Sequence, residues 1–272
     1  MMLHPFSRTE LLIGTEGLKK LKNSTVAIFG IGGVGSFTAE ALARSGVYRI
    51  VLIDGDDICL TNINRQIHAL HSTVGKSKVE TMKARILDIN PKAEVIIYKE
   101  YYNSESAEKL LSDGYDYVID AIDMVDSKLD LIERCKKRNI PIISAMGAGN
   151  KLDPTRLEVD DIYKTSNCPL AKIMRKQLKK RGIKNLKVVY SKECNKETGK
   201  VLQSDKGMGV TSHYKDDRKA GTTSSPDRAG TCDTGYRVLG SVPFVPSVAG
   251  LIMASEVVYD LIRHPGTPAS GL

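Results

Sequence analysis

The 272-residue sequence predicts an α/β protein. Its fold class is a Rossmann-like, doubly wound, mainly parallel sheet with a C-terminal extension and a long irregular crossover. Three observations carry this. The run Thr25-Val26-Ala27-Ile28-Phe29 enters Gly30-Ile31-Gly32-Gly33-Val34-Gly35, a G-x-G-x-x-G turn, and a helix-forming segment follows. Apolar strand-length runs then alternate with helix-period segments, the pattern of a parallel sheet with crossover helices. Asp54 closes the second strand roughly 20 residues beyond the glycine turn, where an acid meets ribose hydroxyls in such folds.

The elements follow in order. Residues 8–22 set Leu11, Leu12, Leu18 and Leu21 on one helical face. A strand over 25–30 leads into the glycine turn, and a helix over about 34–45 follows. Residues 49–53, 95–98, 117–122 and 141–144 read as further strands, the third of them fully buried. Between them lie a short helix over 62–71 and a stronger one over 76–89, stopped by Asn90-Pro91. Two more helices span 104–111, with Ser104 as its cap, and 126–138. After about residue 150 the pattern changes to an extended segment over 156–163, a basic helix over 169–180 and a strand over 187–190. Residues 194–237 are poor in apolar side chains and rich in Gly, Ser, Thr, Asp and Lys, which predicts a long mobile loop. An apolar helix from Val245 into Val257, Val258 and Leu261 closes the core, and residues 265–272 form a tail. The expectation is one domain over 1–264, with a nucleotide-binding part over about 8–150 and a substrate-side part over about 151–264.

Composition narrows the class. Lys and Arg outnumber Asp and Glu by 40 to 32, a net charge of +8, which favours an acidic partner such as nucleic acid. The five cysteines (Cys59, Cys135, Cys168, Cys194 and Cys232) include no C-x-x-C pair. That spacing argues against a structural zinc site, and an odd count fits a reducing compartment. No run reaches the roughly 20 apolar residues of a membrane span. The first ten residues lack the apolar core of a secretory signal. A cytoplasmic protein with no membrane partner is expected.

The chemistry lies around the glycine turn. Gly30, Gly32, Gly33 and Gly35 leave backbone N–H groups bare at a helix start, where a phosphate can sit. With Asp54 this suits NAD and adenosine equally. Arg65 and Lys78 shift the reading to ATP, because attack on a phosphoryl group builds charge that fixed cations must take up. Asn62 and Gln66 add neutral donors. Asp120 and Asp123 end the buried strand; Asp123, outside the apolar run, suits Mg²⁺ on the phosphates or, alternatively, an N-cap for the helix that follows. Cys168, flanked by Pro169-Leu170-Ala171, reads as a structural cysteine rather than a nucleophile.

Together the glycine turn, Asp54-Gly55-Asp56, Asn62-x-Asn64-Arg65-Gln66, Gly75-x-x-Lys78 and Asp120-x-x-Asp123 resemble the ubiquitin-activating-enzyme-like adenylating superfamily. The resemblance implies that the glycine loop, Asp54, Asp56, Asn62, Arg65 and Lys78 bind ATP and that Asp123 binds Mg²⁺. It also implies a homodimer in which an N-terminal arginine, matched here by Arg8, completes the other protomer's site. Within that superfamily, Phe6-Ser7-Arg8-Thr9-Glu10, Asn64-Arg65-Gln66-Ile67-His68-Ala69-Leu70, Lys164-Thr165-Ser166-x-Cys168-Pro169 and Phe244-Val245-Pro246-Ser247-Val248-Ala249-Gly250 are similar to the tRNA threonylcarbamoyladenosine dehydratases. That subgroup implies adenylation of the threonyl carboxylate of threonylcarbamoyladenosine in tRNA, then cyclisation by a nitrogen of the same side chain with departure of AMP. Lys172, Arg175, Lys176, Lys179, Lys180 and Arg181 then gain a role as contacts to tRNA phosphates, against the plain alternative of a solvated helix face. A sulfur-transfer protein is a further candidate partner. The rival reading is an activator of a ubiquitin-like sulfur carrier, although such activators commonly hold zinc on two C-x-x-C pairs that this chain lacks. A nicotinamide oxidoreductase leaves Arg65, Lys78 and Asp123 without a task. A nucleotide sensor that binds tRNA without turnover also stays open. Residues 195–237 and the C-terminus match no family pattern.

Overall fold

A computed structural model describes residues 3–194 and 239–263. The predicted loop and the tail therefore lie outside the described residues. Seven strands form one sheet: β1 (Thr25–Phe29), β2 (Arg49–Ile53), β3 (Glu94–Tyr98), β4 (Tyr117–Asp120), β5 (Ile142–Ala145), β6 (Leu157–Asp161) and β7 (Lys187–Ser191). Their order is β3-β2-β1-β4-β5-β7-β6. All pairings are parallel except β6 with β7, so the sheet ends in one antiparallel edge strand. The helices are α1 (Ser7–Asn23), α2 (Gly35–Ser45), α3 (Lys78–Ile89), α4 (Ala107–Leu110), α5 (Val125–Lys137), α6 (Pro169–Lys180) and α7 (Phe244–Ile262).

The alternating Cβ direction of each strand feeds two cores. Ala27, Phe29, Val51 and Ile53 point to one face, where Leu129 and Ile132 of α5 and Met174 and Leu178 of α6 cover them. Val26, Ile28, Ile50 and Leu52 point to the other, under α2, α3 and α7. Gly250 lets α7 press onto α2: a Cβ there would lie 2.4 Å from the Val34 carbonyl oxygen, and Thr38 Oγ1 donates to the Gly250 carbonyl at 3.1 Å. At 19 residues, α7 is the one described helix long and apolar enough to cross a membrane. Here Val245, Ala249, Met253 and Val257 bury its inner face, while Glu256 and Asp260 hold Lys187 of β7.

Several sequence expectations need correction. Residues 62–71 do not form a helix; a single 3₁₀ turn, Leu60–Asn62, is followed by hydrogen-bonded turns. Asn62 Oδ1 accepts from the Cys59 N–H, and Thr73 Oγ1 donates to the His68 carbonyl, so side chains replace a helical ladder. The helix expected over 104–111 is only α4, preceded by Ser106 and not capped by Ser104, because Asn103 and Ser106 form a turn of their own. Strand β4 ends at Asp120, two residues early. Asp123 does not cap α5, whose N-cap is Met124 with no side-chain cap bond. Cys135, Cys168 and Cys194 carry free thiols.

Candidate functional site

Strand order reverses direction between β1 and β4, and the crevice lies at the carboxyl ends of these two strands. The glycine turn leaves β1 there, and residues 121–124 leave β4 beside it. Gly30 takes φ +90°, and a Cβ on it would stand 2.6 Å from the Ala121 carbonyl oxygen; one on Gly35 would overlap the Gly30 carbonyl at 1.8 Å. Both glycines are therefore demanded by close backbone approach. The turn faces a narrow cradle: a Cβ on Gly33 would meet Pro246 at 3.2 Å and Arg65 at 3.5 Å, and one on Gly32 would lie 3.8 Å from Gln66 Nε2.

The predicted nucleotide ligands converge on this cradle. Asp54 accepts from the Ile31 N–H at 2.7 Å and the Asp56 N–H at 2.8 Å, so one carboxylate ties the end of β2 to the glycine turn. Burial pushes its carboxyl above the usual value, against the pull of Lys78. Lys78, the first residue of α3 and 6 % exposed, has its Nζ 2.5 Å from Asp56 Oδ2 and 3.8 Å from Asp54 Oδ1. Tyr101, a residue not anticipated from sequence, donates its hydroxyl to Asp56 Oδ1 at 2.5 Å. Burial works against the Asp56 anion, yet Lys78 and Tyr101 outweigh it and hold its carboxyl below the usual range. Half-buried Arg65 is aimed by the Thr61 carbonyl at 2.8 Å and Asn64 Oδ1 at 3.0 Å.

Two buried polar atoms near the turn have no hydrogen-bond partner among the described residues: Gln66 Oε1 and His68 Nδ1. A buried acceptor without a partner is costly, and a nucleotide or substrate donor at Gln66 would relieve it. With its glycine-lined walls and adjacent cations, the site fits an adenosine polyphosphate. Asp123 is exposed at the crevice rim. Among the described residues no cluster of three or more His, Cys, Asp or Glu side chains is arranged to hold a metal. A single carboxylate beside bound phosphates is nevertheless the usual way to hold Mg²⁺, and Asp123 fits that role.

Asp120 lies below the crevice rather than in it. It is wholly buried, 2.9 Å from Lys128 Nζ, and accepts from Ser144 Oγ at 2.6 Å. Lys128 also donates to the Ile122 carbonyl at 3.0 Å, and Asp120 Oδ1 takes the Ile122 N–H at 3.2 Å. This ion pair braces the loop that carries Asp123. A lysine near the start of a helix gave no sequence sign of such a partner.

Other predicted residues are not gathered at the cradle. Phe6 and Leu18 of the N-terminal segment pack at Gly46, beyond the far end of α2. Arg8, two residues after Phe6, is exposed. The basic helix α6 starts near the crevice, where Cys168 Sγ accepts from the Ala171 N–H at 3.5 Å as its N-cap. It runs to the opposite end of the sheet, where Arg181 pairs with Glu133 at 2.7 Å. Arg175 is spent on the Thr165 turn through its carbonyl at 2.8 Å and its hydroxyl. Lys172, Lys176, Lys179 and Lys180 are exposed.

The sequence matches the ThiF family model over residues 6–271. It is 52% identical over 263 residues to the tRNA threonylcarbamoyladenosine dehydratase of Bacillus subtilis (strain 168), covering 96% of each chain. Identity to the Escherichia coli (strain K12) protein of that name is 38%, covering 94% of this chain and 93% of the other. Among solved structures, E. coli tRNA N6-threonylcarbamoyladenosine dehydratase, TcdA, in complex with ATP superposes with a TM-score of 0.76 at 33% identity, over 95% of this chain and 93% of that one.

Proposed function

The chain belongs to the ThiF family, and from that premise we propose that it is an ATP-dependent tRNA threonylcarbamoyladenosine dehydratase. The observation that carries this reading is the cradle itself: bare glycine N–H groups walled by Lys78, Arg65 and the Gln66 carbonyl, unpartnered among the described residues, in a chain matched over 96% of its length by a dehydratase. The threonyl carboxylate of the modified nucleoside attacks the α-phosphorus of ATP. A carboxylate-oxygen to phosphorus bond forms, the bond to pyrophosphate breaks, and an acyl-adenylate results. A nitrogen of the same side chain then attacks the acyl carbon, loses its proton and expels AMP, so the nucleoside is shorter by one water. The second step is intramolecular and draws mostly on positioning.

The residues divide this work. Asp54 and Asn62 orient the nucleoside end of ATP, while Gly32, Gly33 and Gly35 offer N–H groups to its phosphates. Lys78 is stored on Asp56 in the free protein and serves the charge that builds on the phosphoryl oxygens, together with Arg65. Asp123 would hold Mg²⁺, which would supply further neutralisation of the phosphates. Arg8 acts on the partner protomer's cradle in a homodimer, a reading supported by the packing of its neighbour Phe6 at Gly46, the end of α2 away from the glycine turn. Lys172, Lys176, Lys179 and Lys180 hold tRNA phosphates, and Arg175 and Arg181 hold the helix in place. A cytoplasmic site of action follows from the tRNA substrate, and a sulfur-transfer protein stays a candidate partner.

Nucleoside mass spectrometry tests this. The protein, ATP, Mg²⁺ and tRNA bearing threonylcarbamoyladenosine are combined, and ATP-dependent loss of one water from the nucleoside is expected. Unchanged nucleoside alongside intact ATP binding would redirect the reading to activation of a sulfur-carrier protein.

A further inference from the structure

Ile31, the second residue of the glycine turn, is held from both sides. Its N–H donates to Asp54 Oδ2 at 2.7 Å, and its carbonyl lies 2.8 Å from Nε2 of His68. His68 is 2 % exposed, and Nδ1, its other ring nitrogen, has no partner among the described residues. A carbonyl oxygen only accepts, so Nε2 carries the proton in this contact. The imidazole is neutral at neutral pH: burial first, then the positive charges of Lys78 and Arg85, push its pKa down to about 4, against the pull of the Ile31 carbonyl.

The consequence runs through the next peptide. A trans peptide is planar, with its C=O and N–H pointing in opposite directions. Fixing the Ile31 carbonyl toward His68 therefore turns the Gly32 N–H away from the protein interior. Among the described residues that N–H has no protein partner. The clamp also links the site's two halves, because His68 lies three residues after Arg65 and two after Gln66.

We propose that His68 is a positioning residue for phosphate recognition, aiming the Gly32 N–H at the anionic part of the nucleotide by holding the Ile31 carbonyl. The inference rests on the reading of the cradle as an ATP site. Its effect is confined to the phosphate end, since Asp54 on the ribose side keeps its own bonds.

Isothermal titration of ATP and of adenosine into the full-length protein tests it, with thermal melting as a control for folding. His68→Leu should bind ATP about three- to tenfold more weakly, the range of one lost neutral hydrogen bond, and adenosine as the parent does. His68→Met serves the same comparison should the leucine variant unfold. His68→Gln, which keeps an N–H donor near the Nε2 position, should recover most of the ATP affinity. Equal weakening of ATP and adenosine would show a structural role and overturn the proposal, as would unchanged ATP affinity. A parent protein that binds no ATP would overturn the nucleotide reading itself; a parent that binds ATP beside an indifferent His68→Leu overturns only the role of His68.

Discussion

At the level of single residues, the proposed reading has the cradle store charge until the nucleotide arrives. Lys78 and Asp56 neutralise each other behind the glycine turn, and Arg65 is aimed by the Thr61 and Asn64 oxygens. Removing one preorganised donor of charge at a phosphoryl or acyl centre costs about 10²–10³ in rate. Arg65→Ala and Lys78→Ala are each expected to slow nucleoside dehydration by that factor, read by mass spectrometry of the nucleoside, with tRNA binding retained. His68 gives a separate stability signature. The unfolded imidazole titrates near 6.5 and the folded one near 4. Between these values the unfolded chain binds a proton that the folded chain refuses. Stability is therefore full above pH 6.5 and falls as pH drops toward 4, by about 3 kcal/mol at about 1.4 kcal/mol per pKa unit. Urea unfolding at pH 7 and pH 4.5 should show this loss in the parent and a flatter profile in His68→Gln.

Helices and strands act as rigid carriers of these groups. The loop bearing Asp123 is fixed by the Asp120–Lys128 pair, buried to 0 % exposure on both sides. Lys128→Met leaves a buried carboxylate without its cation, and a loss of about 3–5 kcal/mol in denaturant unfolding is expected. The double variant with Asp120→Asn should regain most of it. Helix α6 carries two kinds of cation. Arg175 and Arg181 are committed to Thr165 and Glu133, whereas four lysines face outward. Replacing Lys172, Lys176, Lys179 and Lys180 by glutamine should weaken tRNA binding and lower the salt dependence of log K by up to about 1 per lysine, leaving ATP affinity unchanged.

Over the whole molecule, the doubly wound topology sets which groups share an end of the sheet. Carboxyl ends of β1 and β4 carry the cradle, and the N-terminal segment with Arg8 lies beyond the opposite end of α2. On the proposed reading, an arginine so placed serves the cradle of another copy. Mixing Arg8→Ala with Arg65→Ala, each inactive alone, should restore about a quarter of parental activity, because half the dimers are mixed and each mixed dimer has one intact site. Restoration that fails at concentrations where the dimer forms would show that Arg8 does not act across the dimer.

The sequence by itself determined the strand and helix order, the glycine turn, and the residue types around it. These follow from periodicity and short spacings: Gly30 to Gly35, Asp54 and Lys78 are each read within one strand–turn–helix unit. Local pattern failed at residues 62–71, where Asn62 and Thr73 side chains satisfy the backbone in place of a helix. Tertiary structure alone decided which partners meet across the chain. Lys128 finds Asp120, Tyr101 finds Asp56, and His68 finds the Ile31 carbonyl, in each case through contacts set by strand order rather than by neighbours in sequence. It also separated the six basic residues of the 169–181 segment into anchors and exposed lysines. Charge and burial belong to the folded surroundings of a side chain, and those surroundings exist only once the sheet has brought distant segments together.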